Sequence, residues 1–247
     1  MRKAKPASRR APVLEVIACS VADAIEAQSG GAGRLEIIRD FDRGGLTPPL
    51  ELVQDILDAV TLPVRVMLRE GESYEVVNEA EMEKLCAAAG EFSGLGVDGV
   101  VLGFLRKGEI EVALTQSVLS CAPNLSATFH HAFEETGDPF TAIRVLKGIK
   151  QVDRILTSGG TGQWSEKIER LSRYHDEVGP EIEILAGGGI NQESIRRLCQ
   201  ATGIREFHVG RAAREPATAA GVVRSDLVRV LVEAAEGDDP RNHTKEH

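Results

Sequence analysis

Residues 182–213 read IEILAGGGINQESIRRLCQATGIREFHVGRAA, and this stretch decides the fold. Two short apolar runs, 182–186 and 204–209, each end in glycine: Gly187, Gly188 and Gly189 after the first, Gly210 after the second. Each then leads into a helical pattern. Glycine at a strand end lets backbone N–H groups approach an anion, and a following helix N-terminus adds a favourable dipole. Two such units in succession near the end of a 247-residue chain match the last two βα units of a (β/α)8 barrel, whose final loops often bind phosphate.

Six further strand-like runs precede them, at 13–19, 33–38, 64–69, 97–103, 125–130 and 152–157. Helical patterns follow the runs at 21–29, 49–60, 78–94, 111–121, 139–148, 166–177, 192–201 and 222–235. The βα spacing and the absence of hairpin signals favour parallel strands. Eight units in this length fit a single-domain α/β barrel at 13–236 better than an open doubly wound sheet. Scarce aromatics and abundant small aliphatics suit the same architecture. Ser20, Asp138 followed by Pro139, and Asn191 read as helix starts.

The net charge is −9, and the first ten residues carry five cations and no acid, leaving −14 on the rest. A barrel of that charge is a poor partner for nucleic acid or an acidic membrane. The basic leader, 1–12, has no apolar core and reads as a disordered tail rather than a secretory signal. The end, 237–247, is polar. No apolar run approaches a membrane span. Cys19, Cys86, Cys121 and Cys199 are far apart in sequence and read as reduced thiols of a cytoplasmic protein.

Charge falls on one parity of several strands. Glu15, Glu36, Arg65, Arg69, His130, Glu206 and His208 can therefore face the barrel interior. For Glu15, Arg65 and Glu206 a structural Glu–Arg network is the competing expectation, since a buried charge must be paired. Glu36, His130 and His208 fall at strand ends and are the candidate acid–base groups. Arg69 can hold a phosphate or carboxylate bidentately, unless it only pairs with Glu36. Ser158, Gly159 and Gly160 after the sixth run, Gly187 to Gly189 after the seventh, and Gly210 and Arg211 after the eighth complete a candidate anion site, with Glu15 among the ligand contacts. No lysine stands at a strand end, which disfavours a Schiff-base aldolase. No HxH or HExxH spacing marks a metal site, so no cofactor is expected from the residues alone.

The ordered blocks LEV (14–16), RLEI (34–37), GGLTP (44–48), VMLR (66–69), TFHHAF (128–133), RILTSGG (154–160), GGGIN (187–191) and REFH (205–208) resemble the CutC family. That family is named for copper homeostasis and folds as a TIM barrel. The resemblance covers about 14–214 and implies that Glu15, Glu36, Arg69, His130 and His208 correspond to the family's strand-end Glu, Arg and His residues. It also implies a homodimer or larger assembly, and copper as a bound metal. The cysteines proposed as Cu(I) ligands in the family fall here on Ile17 and Ile38. Cu(I) prefers soft sulfur ligands, so a tight cysteine-built copper site is not expected in this chain. Two other blocks depart: VMLREG lacks a second arginine, and TFHHAFE carries His131 and Glu134 as replacements. The segment VGRAAR resembles phosphate-binding ends of other TIM barrels. The expectation is a small anionic ligand at the rim. The alternatives are an enzyme of isomerase, lyase or hydrolase type acting on a phosphorylated metabolite, and a non-catalytic copper-binding protein.

Overall fold

Eight parallel strands close on themselves in the computed structural model, which describes residues 11–237. Apart from 11, 12 and 237, the two expected tails lie outside the described residues. The strands are β1 Val13–Ala18, β2 Arg34–Ile37, β3 Val64–Met67, β4 Gly99–Leu102, β5 Ser126–Phe129, β6 Val152–Thr157, β7 Glu183–Ala186 and β8 Glu206–Val209. They pair in sequence order, and β8 returns to β1. The helices are α1 Val21–Ser29, α2 Leu50–Ala59, α3 Glu79–Leu95, α4 Val112–Ser120, α5 Pro139–Lys147, α6 Trp164–Val178, α7 Gln192–Ala201 and α8 Ser225–Glu236. The (β/α)8 expectation is met strand for strand.

The helix starts follow from the sequence. Ser20 accepts a hydrogen bond from the Asp23 N–H at 3.1 Å. Asp138 caps α5 with Pro139 at the first turn, and Asn191 forms a capping box with Ser194. Each satisfies backbone donors that have no partner within the helix.

Two local expectations are corrected. The eighth helix begins at Ser225, because Val222–Val223 pairs antiparallel with Arg214–Glu215 instead. A second ribbon joins Leu105–Arg106 to Glu109–Ile110. Its turn places Lys107 at φ 53° and Gly108 at φ 76°, the conformation of a tight hairpin turn. Lys-Gly is a weaker hairpin signal than Asn-Gly, so this ribbon was not foreseen. Both ribbons lie outside the barrel.

Strand alternation divides the molecule. Leu14, Val16, Leu35, Ile37, Val64, Val66, Val100 and Leu102 join the main apolar core with the helices. The other parity turns inward. There Ile17, Ile38, Met67 and Val101 form a separate apolar cluster, and Glu15, Arg34, Glu36, Arg65, Glu206 and His208 add charged or ionisable groups.

Those charges form a chain of ion pairs. Arg34 bonds to Glu15 and reaches Glu206 at 2.7 Å. Arg154 meets Glu206 at 2.6 Å and also pairs with Asp153. Arg65 grips Asp153 with two bonds of 2.7 Å, donates to Thr128 at 2.8 Å and meets Asp98 at 3.2 Å. A register slip makes the middle possible: Ala127 pairs with Val152 but Thr128 with Arg154, leaving Asp153 as the extra residue. Such a bulge re-aims side chains. Here it lets consecutive residues both serve the network. The expected Glu–Arg network is therefore present, and Arg34, Arg154, Asp153 and Asp98 extend it beyond the residues singled out from the sequence.

Removing one partner of a buried pair leaves an uncompensated charge, at a cost of about 3–5 kcal/mol. Arg34 stands between two buried carboxylates, so Arg34→Met is expected to lose that much in urea unfolding. Asp98 is the half-exposed end of the chain, and Asp98→Asn is expected to cost under about 1 kcal/mol. Equal losses in the two variants would refute this ranking.

Candidate functional site

A cavity of about 440 Å³ opens at the C-terminal ends of the strands. Glu36, Arg69, His130, His208, Gly188, Gly189, Gly210 and Arg211 all line it. The barrel thus gathers eight of the thirteen expected site residues around one space. Ile17, Ile38 and Met67 add apolar wall, and Phe41 and Tyr74 add aromatic wall.

Glu36 ends β2 and is almost fully buried, with Oε1 lacking any hydrogen-bond partner. Burial raises its pKa to about 7, against the opposing pull of His208. His208 Nε2 stands 3.7 Å from Glu36 Oε2, and its Nδ1 is 2.8 Å from Glu15 Oε1. Burial opposes charge on this imidazole, but the carboxylates of Glu36 and Glu15 outweigh it and raise its pKa. Glu15 itself is buried, yet Arg34 and His208 hold its carboxyl far below the usual range. It follows that the permanently ionised Glu15 fixes His208 Nδ1 as a donor and leaves Nε2 facing Glu36. Glu15 was expected among the ligand contacts. The structure places it behind His208 and out of the cavity wall.

His130 directly follows β5 and is buried. Its Nδ1 accepts the Ala132 N–H at 3.2 Å, so the neutral ring carries its proton on Nε2. That atom is buried without a partner. Burial first, then Arg69 and His131, lower the His130 pKa to about 3, which keeps the ring neutral. Tyr74 lies between the two: its ring centroid is 5.2 Å from that of His130 and 4.7 Å from the Arg69 guanidinium carbon.

Arg69 is not paired with Glu36. Its guanidinium donates to the carbonyls of Gly44 and Glu72, and Nε has no partner. No ion pair to Arg69 occurs among the described residues. Burial lowers its pKa. The competing expectation of an Arg69–Glu36 pair is thereby overturned: the chain ties Arg69 to two loop carbonyls, leaving its charge unneutralised.

The glycine turns divide into two kinds. Gly188 and Gly189 have φ of 74° and 84°, where a Cβ is strained. A side chain at 188 would also sit 2.5 Å from the Ser158 Cβ, whereas nothing lies within 4 Å of a Cβ at 189. Their N–H groups have no hydrogen-bond acceptor among the described residues. Gly210 is small for a different reason. A Cβ there would meet the Phe41 ring at 2.4 Å, and Phe41 lies beneath the guanidinium groups of Arg211 and Arg214.

Ser158, Gly159, Gly160 and Gly187 do not line the cavity. The turn after β6 is filled from within by Glu134. Its carboxylate accepts the Thr157 hydroxyl at 3.1 Å, the Ser158 hydroxyl at 3.0 Å and the Ser158 N–H. His131 Nδ1 stands 3.1 Å away. Despite burial, those contacts lower the Glu134 pKa to about 2, so it stays ionised. Gly187 donates its N–H to Thr157. Sequence reading noted Glu134 as a replacement but gave it no role, because an acidic residue five places past a strand end carries no sign of which turn it reaches. It missed Tyr74 and Phe41 because both lie in loops without periodicity.

Copper does not fit the residues present. Positions 17 and 38 are isoleucines in the cavity wall, beside a single thioether, Met67. The Cys19 thiol is pushed up to about 11 by burial and contacts Arg214 at 3.7 Å. No cluster of three His, Cys, Asp or Glu suited to a metal ion occurs among the described residues. Burial, with the Cys121 thiol nearby, pushes the Cys86 thiol up to about 11, and both lie outside the cavity wall.

Comparison with known proteins agrees with this geometry. The CutC family model matches residues 13–213. A CutC family protein of Xanthomonas axonopodis pv. citri is 35% identical over 217 residues, 87% of this chain and 86% of that one. The human copper homeostasis protein cutC homolog is 32% identical over 197 residues, 79% of this chain and 72% of that one. The crystal structure of a CutC copper homeostasis protein from Streptococcus agalactiae superposes with a TM-score of 0.75 at 25% identity, covering 81% of this chain and 98% of that one. On the barrel, the ordered motifs and these matches together, the chain belongs to the CutC family.

Proposed function

We propose that the rim cavity binds a small ligand bearing a phosphate or carboxylate. One observation carries this reading: Arg69, half-buried and without a carboxylate partner, lines the same cavity as the unpaired N–H groups of Gly188 and Gly189. A buried cation and free backbone donors leave electrostatic demand that an anion satisfies. Arg211 is exposed at the lip and adds positive charge. Glu36 and His208, 3.7 Å apart, supply a proton-exchanging pair beside the anion, with His130 as a neutral donor. The site in this proposal excludes the turn after β6, where Glu134 stands in for the ligand carboxylate or phosphate.

Loss of a charge-assisted contact costs about 1.5–3 kcal/mol, roughly ten- to a hundredfold in affinity. Phosphoglycolate is a suitable probe because it carries both anions on two carbons. By calorimetry, Arg69→Ala is expected to weaken its binding by that factor, with a stability loss of only about 1 kcal/mol because no ion pair is broken. Unchanged affinity in the variant would reject the role of Arg69.

Stability is expected to report the acid–base pair. The Glu36 pKa rises from 4.5 to about 7 on folding, so the folded state binds the extra proton and loses stability as pH rises across that interval. His208 is also raised, which acts in the same direction above its unfolded value. Glu36→Gln removes the first contribution and weakens the second. The melting temperature of the variant should therefore fall less than that of the native chain between pH 5 and 8. Parallel curves would contradict the assignment.

The rim is expected to hold no tight Cu(I). A chelator-competition titration should give the same result for the native chain and for Cys19→Ser and Met67→Leu. One tight equivalent lost in either variant would overturn it.

A further inference from the structure

The cavity wall is selective about the chemistry it can support. It contains no serine, threonine, cysteine or lysine, so an alcohol, thiol or amine nucleophile is lacking, and Tyr74 brings the one hydroxyl in the wall. What it contains is the carboxylates of Glu36 and Asp42, the imidazoles of His130, His131 and His208, the Tyr74 phenol, and arginine. Five buried side-chain polar atoms lack a partner among the described residues, and three of them belong to Glu36, Arg69 and His130. These three residues share one cavity. Unpaired buried polar groups are costly, and their concentration at one place is explained by a ligand that pairs them.

Their roles are complementary. Glu36 Oε1 is an acceptor when ionised. His130 Nε2 is a donor, because Nδ1 is committed as an acceptor to the Ala132 N–H. Arg69 provides fixed positive charge. A carboxylate base and a neutral imidazole donor in one cavity are the groups that remove a proton next to a carbonyl while stabilising the oxygen that gains charge. Glu36 sits on β2 and His130 directly follows β5, and both line the space a short substrate would fill.

We propose that this cavity interconverts small α-hydroxy aldehydes and ketones that carry a phosphate, through an enediol intermediate. The proposal rests on the anion-binding reading for anchoring the substrate. The Glu36 carboxylate takes the C–H proton of the hydroxyl-bearing carbon. The released electron pair forms the carbon–carbon double bond, and the carbonyl π pair moves to oxygen, which takes the proton of His130 Nε2–H and leaves that nitrogen free to accept another. The hydroxyl proton passes to the imidazole from the neighbouring oxygen. The Glu36 carboxylic acid then returns its proton to the former carbonyl carbon. Atoms and electrons balance without oxidant or added water. His208 is a positioning residue: held by Glu15 at 2.8 Å, it presents Nε2 to Glu36 at 3.7 Å and sets the proton affinity of the base.

The test uses the full chain in D2O with erythrose 4-phosphate, followed by proton NMR. The expected result is loss of the C–H signal next to the carbonyl and growth of the ketone isomer. Glu36→Gln, purified identically to control for contaminating isomerases, should slow this by about a hundredfold or more while still binding phosphoglycolate. His130→Gln should also slow it with binding retained. If the native chain binds phosphoglycolate through Arg69 but neither exchanges deuterium nor isomerises, the enediol proposal is overturned and anion binding stands. Absence of phosphoglycolate binding together with absence of exchange overturns both. Equal turnover in the native chain and Glu36→Gln, or release of inorganic phosphate instead of isomer, overturns the proposal as well.

Discussion

The carboxylate of Glu15 is the point on which the interior turns. It is fully buried and bonded on one side to Arg34 and on the other to His208. Through Arg34 it belongs to the ion-pair chain that fills the barrel. Through His208 it belongs to the cavity. An isolated carboxylate at this depth would cost several kcal/mol or take up a proton. Paired twice, it stays ionised and fixes the imidazole. The ion-pair chain and the cavity wall are therefore continuous through Glu15.

Above this point the rim is asymmetric. Glycine-rich turns follow both β6 and β7, and backbone geometry alone would let either hold an anion. Glu134 settles the matter after β6 by accepting three hydrogen bonds from Thr157 and Ser158. A second anion there would meet like charge, and the Thr157 and Ser158 donors are already engaged. After β7 the two left-handed glycines remain unpaired, and Gly188 packs so closely on Ser158 that no side chain fits. Glu134 thus orders the first turn, and that turn in turn braces the second.

The barrel was legible in the sequence because strand and helix periods alternate cleanly and the caps at Ser20, Asp138 and Asn191 are local signals. Parity also located Glu36, His130 and His208 at one rim, since side-chain direction along a strand is fixed by geometry. What parity cannot give is pairing across the barrel. Arg34 lies in the same RLEI block as Glu36, yet only closure of β8 onto β1 brings Glu206 to it. The Asp153 bulge breaks alternation itself, so no period-two reading reaches it. The same limit applies to loops. Glu134, Tyr74 and Phe41 owe their positions to chain turns that leave no periodic trace, and the nearness of the Cys86 and Cys121 thiols depends on how α3 packs on α4.

Glu36 is the residue that stability alone does not explain. The neighbouring inward positions on the rim, Ile17, Ile38 and Met67, are apolar and pack together. A leucine at 36 would extend that cluster and avoid a buried, unpartnered oxygen. Arg34 is already shared by Glu15 and Glu206, so Glu36 is not needed to neutralise it. His208 is likewise held by Glu15, so Glu36 is not needed to orient the imidazole. A carboxyl that neither completes the ion-pair chain nor fills the core, and whose proton affinity is moved to near neutrality, is consistent with the proton-exchanging role proposed for it. Its destabilising burial is tolerated because the ion-pair chain beneath it is complete without it.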